Sequence, residues 1–384
     1  MDTKTAKGFS DFIGEESNKR ERIIEEVKRQ FELYGFESAE TPIIENEEFV
    51  RGKNFSDEAV RDIFTLQDRG KRKLALRYEF TFQLKRIAKN QKLPYKRYQI
   101  GYVFRDEPIR KGRLRQFIQC DADIVGSSIK DEAEILAIAK KVFSELGISV
   151  KIYINNRKLL NEILVSENIK EKDRESVIKE LDKLDKLSKK EVADNLKNYN
   201  AEKLVRLFEQ DEEKFSKYGF YKEIEKLKDY CKNYNVEVEF KPFLARGLSY
   251  YNGSVFEIWS EKLNVSLAGG GSYLVDETQS TGISFGLEPI FLLSEVQAGK
   301  IDYQVISIGQ DEEAIKLSGK LRDSGKKTIL ILDKTPSKAV EYANAKDIEK
   351  VIFVGKEEVE KKKYKVKDMK SGEEETLSEG SITK

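Results

Sequence analysis

Residues 97–126 read RYQIGYVFRDEPIRKGRLRQFIQCDADIVG, two runs of alternating apolar and polar side chains around a charged centre. Period-two alternation on both sides of RDEPIRKGRLR predicts an antiparallel hairpin with a polar tip. Four of the chain's 19 arginines, Arg105, Arg110, Arg113 and Arg115, fall inside that centre. Arginine presents a planar fork of donors that matches phosphate or carboxylate oxygens, which the lysine ammonium cannot copy. Arg105 and Glu107 are two apart, so an extended strand turns them to the same side. A solvated loop tip is the plainer reading of the same charges.

Around the hairpin, residues 16–34 place Ile23, Ile24, Val27 and Phe31 on one helical stripe. Residues 128–146 do the same with Ile135, Leu136, Ala139, Val142, Phe143 and Leu146. FESAETPIIENEEF (36–49) predicts a strand whose Pro42 belongs at a sheet edge or bulge, because proline donates to no ladder. KLALRYEF (73–80) predicts another strand, TFQLKRIAKN (81–90) a helix, and ISVKIYIN (148–155) and VEVEFKPF (236–243) further strands. From about 157 to 234 the chain is rich in Lys, Glu, Leu and Asn with no strand-like run and no proline, which predicts a helical insertion. Glycine-bearing segments follow: LARGLSYYNGSVFEIW (244–259), LAGGGSYLV (267–275) and TGISFGLEPIFLL (281–293). After Asp302, strands and helices alternate at short spacing, predicting a small α/β domain with a largely parallel sheet. The expected organisation is an α+β domain over 1–300 built on an antiparallel sheet, then an α/β domain over 301–384.

Composition removes whole classes of chemistry. The chain of 384 residues has no histidine, so Ser-His-Asp and Cys-His triads and His-ligated zinc or iron are excluded. Cys120 and Cys231 make no CxxC pair, which leaves no zinc ribbon, iron–sulfur cluster or disulfide framework. Catalysis has to come from arginine, lysine, carboxylates, hydroxyls, backbone or a metal held by oxygen, and no metal-ligating residues are assigned. No apolar run reaches the ~20 residues of a membrane span, and MDTKTAKGFSDF lacks a signal core. A soluble, reduced, cytoplasmic protein is expected. Charged residues make up 36% of the chain but balance to +1, which disfavours a plain nucleic-acid-binding module.

Further candidates stand outside the hairpin. In ARGLSYY, Arg246 adjoins Gly247, which would let backbone and side chain approach a ligand closely. Tyr250 and Tyr251 would face opposite ways on a strand unless a turn intervenes; core aromatics at a turn are the bland alternative. Gly269-Gly270-Gly271 is either a bulge or a place where a ligand presses on backbone, and it is neither a phosphate loop nor a dinucleotide fingerprint. Glu79, just before a helix start, could cap that helix or bind an amine.

Together these segments resemble class II aminoacyl-tRNA synthetases, specifically histidyl-tRNA synthetases of the archaeal and eukaryotic type. The resemblance runs from KGFSDFIGEE through the motif 1-like ETPIIENEEF, LRYEFT, the motif 2-like hairpin, ARGLSYY, LAGGGSY and the motif 3-like GISFGLEPI. It ends in an anticodon-binding domain closing on KYKVKDMKSGEEETLS. It implies ATP-dependent ligation of histidine to its tRNA through a histidyl-adenylate, with Mg2+ carried on the ATP phosphates and a homodimer joined near Pro42. Arg105 and Arg246 would be the catalytic arginines, and both would also contact histidine. Glu107, Arg113 and Phe117 would join Arg105 in binding ATP. Glu79 and Thr81 would take the α-amino group, and Gln119, Asp123, Tyr250 and Tyr251 would line the amino-acid pocket. Arg110 and Lys111 would approach the tRNA acceptor end.

The chain departs from the family's pattern at four places. Pro289 stands where motif 3 carries its γ-phosphate arginine, Ser249 replaces an acid, and Ser272 and Leu274 replace the arginine and acid of GGGRYD. These losses admit an alternative: a non-catalytic paralogue, such as the regulatory subunit of ATP phosphoribosyltransferase or a tRNA-binding protein. The missing histidine likewise leaves two readings open, a synthetase whose own translation its product cannot limit, or compositional drift.

Overall fold

The computed structural model describes residues 3–52, 60, 62–109, 112–246, 250–260, 262 and 265–383. The chain divides into two compact units, Met1–Gln297 and Ala298–Lys384.

Strands of the first unit are β1 (Glu37–Ser38), β2 (Ile44–Asn46), β3 (Thr65–Gln67), β4 (Lys73–Leu76), β5 (Tyr95–Phe104), β6 (Gln116–Val125), β7 (Lys151–Asn156), β8 (Glu239–Phe240), β9 (Tyr251–Ser260), β10 (Val265–Val275) and β11 (Thr278–Gly286). Eight form one sheet in the order β1-β5-β6-β11-β10-β9-β7-β8. Every pairing from β5 to β7 is antiparallel; only the two-residue edges β1 and β8 pair in parallel. The hairpin predicted from residues 97–126 is β5 and β6, in register from Tyr95↔Val125 to Phe104↔Gln116.

Alternation gives this sheet one oily face and one polar face. Ile118, Cys120, Ala122 and Ile124 of β6, Ile283 and Phe285 of β11, and Phe256 and Ile258 of β9 all join the main core. The helices Gly14–Leu33 and Ile129–Glu145 cover that face: the rings of Phe31 and Phe143 lie 5.9 and 5.6 Å from Phe285. The second helix starts at a capping box, with Ser128 accepting from Lys130 N and Asp131 answering to the Ser128 backbone. Intervening residues Gln119, Asp121, Asp123, Ser284 and Glu257 point the other way, to the side that bears the cavities.

Regular structure from Arg157 to Asn233 is entirely helical, and its apolar residues merge with the main core. In the second unit β12 (Tyr303–Ser307), β13 (Thr328–Ile331), β14 (Lys350–Val354), β15 (Lys363–Asp368) and β16 (Glu374–Ser378) are ordered β13-β12-β14-β15-β16. The first three are parallel, while β15 and β16 are antiparallel. The sheet is thus more mixed than the alternation suggested. The turn between β15 and β16 is too short for the crossover that a parallel partner needs.

Three local expectations change. Residues 36–49 form not one strand but β1, β2 and the helix Glu47–Arg51, because Pro42 interrupts the ladder. The helix expected over 81–90 is one turn, Leu84–Ile87, and the strand over 236–243 shrinks to β8.

Candidate active site

Two adjoining cavities open on the polar face. The outer one, about 220 Å³, is lined by Arg105, Glu107, Arg113, Phe117 and Pro289 among others. The inner one, about 60 Å³, is lined by Glu79, Thr81, Asp121, Asp123, Tyr250 and Tyr251 among others. Arg105, Gln119, Arg246, Gly269 and Ser284 belong to both walls. Arg105 and Arg246, distant in the chain, therefore meet where the two cavities join.

Arg105 stands just past the end of β5. Its Nε donates to the Tyr78 carbonyl at 3.1 Å, an Nη donates to Gln119 Oε1 at 3.0 Å, and its guanidinium lies 5.1 Å from the Phe117 ring. Gln119 is fixed in turn, its Nε2 donating to Asp121 and to Ser284 Oγ. Glu107 faces the same cavity but is engaged at its rim, with Arg113 Nη1 3.6 Å from its carboxylate. Arg115 pairs with Asp106. Arg110, Lys111, Gly247 and Ser249 lie outside the described residues.

Arg246 comes from the other flank. Its backbone is left-handed at φ 66°, uncommon for a residue with a side chain and found where neighbours over-determine the chain. Nη1 donates to Glu257 Oε1 at 2.7 Å, and Glu257 Oε2 accepts from Trp259 Nε1 at 2.8 Å. Nε is buried and has no hydrogen-bond partner among the described residues. The glycine triplet is explained here: a Cβ on Gly269 would lie 2.0 Å from Arg246 Nη1, and one on Gly270 would lie 1.9 Å from the Gly282 carbonyl. The triplet lies against protein groups, with a register shift between Gly271 and Tyr273.

The inner cavity concentrates acid. Glu79 caps no helix; it is buried and accepts a hydrogen bond from the Tyr250 hydroxyl at 3.3 Å. Burial pushes its carboxyl up to about 7, Arg105 opposing and Asp121 adding to the shift. Asp121 is also driven to about 7, by burial first and then by the Asp123 carboxylate. Burial raises Asp123 as well, against Arg97 and the Tyr273 hydroxyl that donates to it. Arg97, wholly buried, brings a nitrogen 2.9 Å from Asp123 as a charge contact, while among the described residues its Nε and Nη1 make no hydrogen bond. Asp123 is thus held through Oδ1 by the Tyr273 hydroxyl and through the charge of Arg97, while its Oδ2 accepts no hydrogen bond among the described residues. Tyr250 sits in a turn before β9, and that turn lets both tyrosines, 4.8 Å between ring centres, line the cavity.

Sequence reasoning missed Asp121, Ser284, Tyr273, Glu257 and Arg97. The first had a signal: in QCDADI, Gln119, Asp121 and Asp123 share one strand face. Of the departures, Ser272 is buried and donates to Glu132, Leu274 is half exposed, and Pro289 occupies the first turn of the helix Leu287–Leu293. Proline is tolerated there because that turn's N–H has no helical partner.

Comparison with known proteins decides the family. The histidyl-tRNA synthetase family model matches residues 8–290, and an anticodon binding domain model matches 302–384. The chain belongs to the histidyl-tRNA synthetase family. It is 34% identical over 422 residues to histidine–tRNA ligase 1 of Bacillus cereus, covering 100% of this chain and 99% of that protein. The crystal structure of histidyl-tRNA synthetase from Nostoc sp. PCC 7120 superposes with a TM-score of 0.87 at 26% identity, covering 100% of this chain and 99% of that one. An ATP phosphoribosyltransferase regulatory subunit/histidyl-tRNA synthetase from Bacillus halodurans shares the fold at a TM-score of 0.75 and 21% identity, over 91% of this chain and 98% of its own. The fold is that of a class II synthetase with a C-terminal anticodon-binding domain. As a family member the chain is an aminoacyl-tRNA ligase that charges tRNA with histidine, and the family implies use of ATP.

Proposed function

We propose that histidine is activated where the inner and outer cavities join, histidine occupying the first and ATP the second. The observation that carries this reading is the pair of arginines common to both walls. Activation joins the amino acid's carboxylate to the α-phosphorus of ATP and expels pyrophosphate. Both reactants are anions, and charge grows on the phosphoryl oxygens in the transition state. Fixed cationic donors at the junction are what this step requires.

Arg105 grips the α-phosphate from the hairpin side and Arg246 from the opposite flank. Each holds the histidine carboxylate against its target. Phe117 stacks on adenine, Glu107 lies toward the adenine side, and Arg113 reaches the outer phosphates. Arg113 is 66% exposed at its side chain, which suits a group that closes on nucleotide only when it arrives. With Pro289 in place of the motif 3 arginine, Arg113 is the remaining cation for the γ-phosphate among the described wall residues. Mg2+ enters on the ATP phosphates; among the described residues no group of three acidic or thiol side chains is arranged to hold a metal.

Within the inner cavity, Glu79 and Thr81 take the α-ammonium. Gln119, Asp123, Tyr250 and Tyr251 frame the imidazole, and Asp121 joins them. An analogue lacking the imidazole N–H would leave buried acceptors unpaired, which costs far more than a missing methylene. Arg110 and Lys111 approach the tRNA acceptor end. The domain division falls near residue 300, and the protein works as a homodimer through the region of Pro42, where Ile43 and Ile44 are exposed beside it. A cytoplasmic setting accords with this reading.

Histidine-dependent ATP–pyrophosphate exchange on purified protein, with other amino acids as controls, tests the assignment. No exchange with ATP bound would leave the regulatory paralogue as the better reading, and exchange that ignores histidine would overturn the placing of histidine in the inner cavity.

A further inference from the structure

The helical insertion contacts the segment that carries Arg246 through a short turn. Asp182–Asp185 forms a 3-10 turn that follows the helix Glu171–Leu181. Asp182 Oδ1 accepts from the backbone N–H of Ala245 at 3.0 Å, immediately before Arg246. Asp185 pairs with Lys241 Nζ at 2.5 Å, both side chains largely buried at 18% and 14% exposure. The insertion therefore ties down both ends of the segment 241–246 that delivers Arg246.

Lys241 leads to Arg246 by a second route as well. Its ammonium lies 5.0 Å from the ring of Trp259, and Trp259 donates to Glu257, which holds Arg246. Glu257 and Trp259 are two apart on β9, so the strand itself places them side by side. From the sheet side, Asn155 Nδ2 holds the carbonyls of Pro242 and Leu244 at 2.8 and 2.9 Å. Arg246's left-handed backbone needs such bracing, since an unsupported residue would relax out of it.

We propose that Asp182 and Asp185 are positioning residues for Arg246, so that the insertion is part of the machinery for amino-acid activation. The inference rests on the reading of Arg246 as a catalytic arginine. Its functional content is sharp, because adenylate formation can be measured with no tRNA present.

The test is tRNA-free pyrophosphate exchange by Asp182→Ala, Asp182→Asn, Asp185→Asn, Arg246→Ala and the double variant Asp182→Ala/Arg246→Ala. Asp182→Ala is expected to lower kcat by about tenfold or more, since misplacing a reacting group by an ångström has that scale of cost. Asp182→Asn keeps an acceptor oxygen for Ala245 N–H and should recover most of the loss. The double variant should be no worse than Arg246→Ala to within about twofold, because the two changes would act through one group. If Asp182→Ala fails to fold, Asp185→Asn carries the test alone, with a kcat loss of about threefold or more expected. Exchange unchanged in the folded Asp variants, or losses that multiply in the double variant, would overturn the proposal. Unchanged exchange in Arg246→Ala would instead overturn the reading of Arg246 on which it stands.

Discussion

Arg246 crosses β10 directly over Gly269, so closely that a Cβ on the glycine would lie 2.0 Å from the guanidinium. The clash would be with the far end of a flexible side chain, which can swing away at little cost in stability. Gly269→Ala should therefore leave the thermal midpoint nearly unchanged and still cut exchange by about tenfold or more, through displacement of Arg246. Retained activity would show that the position of that guanidinium does not matter.

Arg105 makes two directed hydrogen bonds, to the Tyr78 carbonyl and to Gln119. A lysine could replace one of them at most. Arg105→Lys and Arg246→Ala are each expected to lower adenylate formation by about a hundredfold, the scale of one lost transition-state donor. Arg246→Lys should restore little. Single-turnover exchange measures both, and parent-like rates in either would refute its assignment.

Glu79 is raised from its ordinary 4.5 to about 7, and Asp121 is raised to about 7 as well. A group whose folded pKa is raised contributes stability that is complete below its unfolded pKa and lost as pH rises through the folded one. The ligand-free protein should thus melt at lower temperature as pH goes from 5 to 8, with Glu79 accounting for ~3 kcal/mol at most. Arg105, Asp121, Asp123 and Tyr250 face Glu79, and no histidine anywhere in the chain titrates across the same window. Glu79→Gln should flatten the profile, melt higher than the parent at pH 8 but not at pH 5, and lose histidine binding. A variant with the parent's slope would remove Glu79 as its source.

Trp259 is the chain's single tryptophan, and its N–H is bonded to the carboxylate that holds Arg246. Its emission should change when histidine and ATP fill the cavities, and saturate with them. In Glu257→Gln the change should be much reduced. A fluorescence titration reads this directly, and a silent indole would mean that Glu257 does not move with Arg246.

Pro289 lines the outer cavity, at the position for which the resemblance to the family implies an arginine. Pro289→Arg should lower the ATP concentration for half-maximal exchange by about tenfold, the worth of one charge-assisted hydrogen bond. The half-saturating histidine concentration should not move. Equal ATP dependence would mean that Arg113 already fills the role.

The sequence was most informative where one strand carries the message. Alternation in residues 97–126 predicted the β5–β6 hairpin, and the same alternation put Gln119 and Asp123 on one face of β6, with Arg105 just past the end of β5. It was least informative where elements are short. Pro42 broke an expected strand, and the helix after Glu79 came to one turn, because packing rather than propensity sets such lengths. Asp121 was legible from its spacing and overlooked. Glu257 looked like any strand glutamate until Arg246 stood beside it.

By itself the sequence determined which chemistry was open. Without histidine or paired cysteines, imidazole and thiolate-pair chemistry was closed and arginine, lysine, carboxylates, hydroxyls and backbone stayed open, and the motif-like segments gave the family. Only the tertiary structure decided that Arg105 and Arg246 share a wall, that Asp123 is already paired with Arg97, and that Glu79 and Asp121 titrate near neutrality. The reason is that contact between distant segments follows from sheet order and register, and a carboxyl's proton affinity from how much water is excluded around it. Neither is written in the residues next to it in the chain.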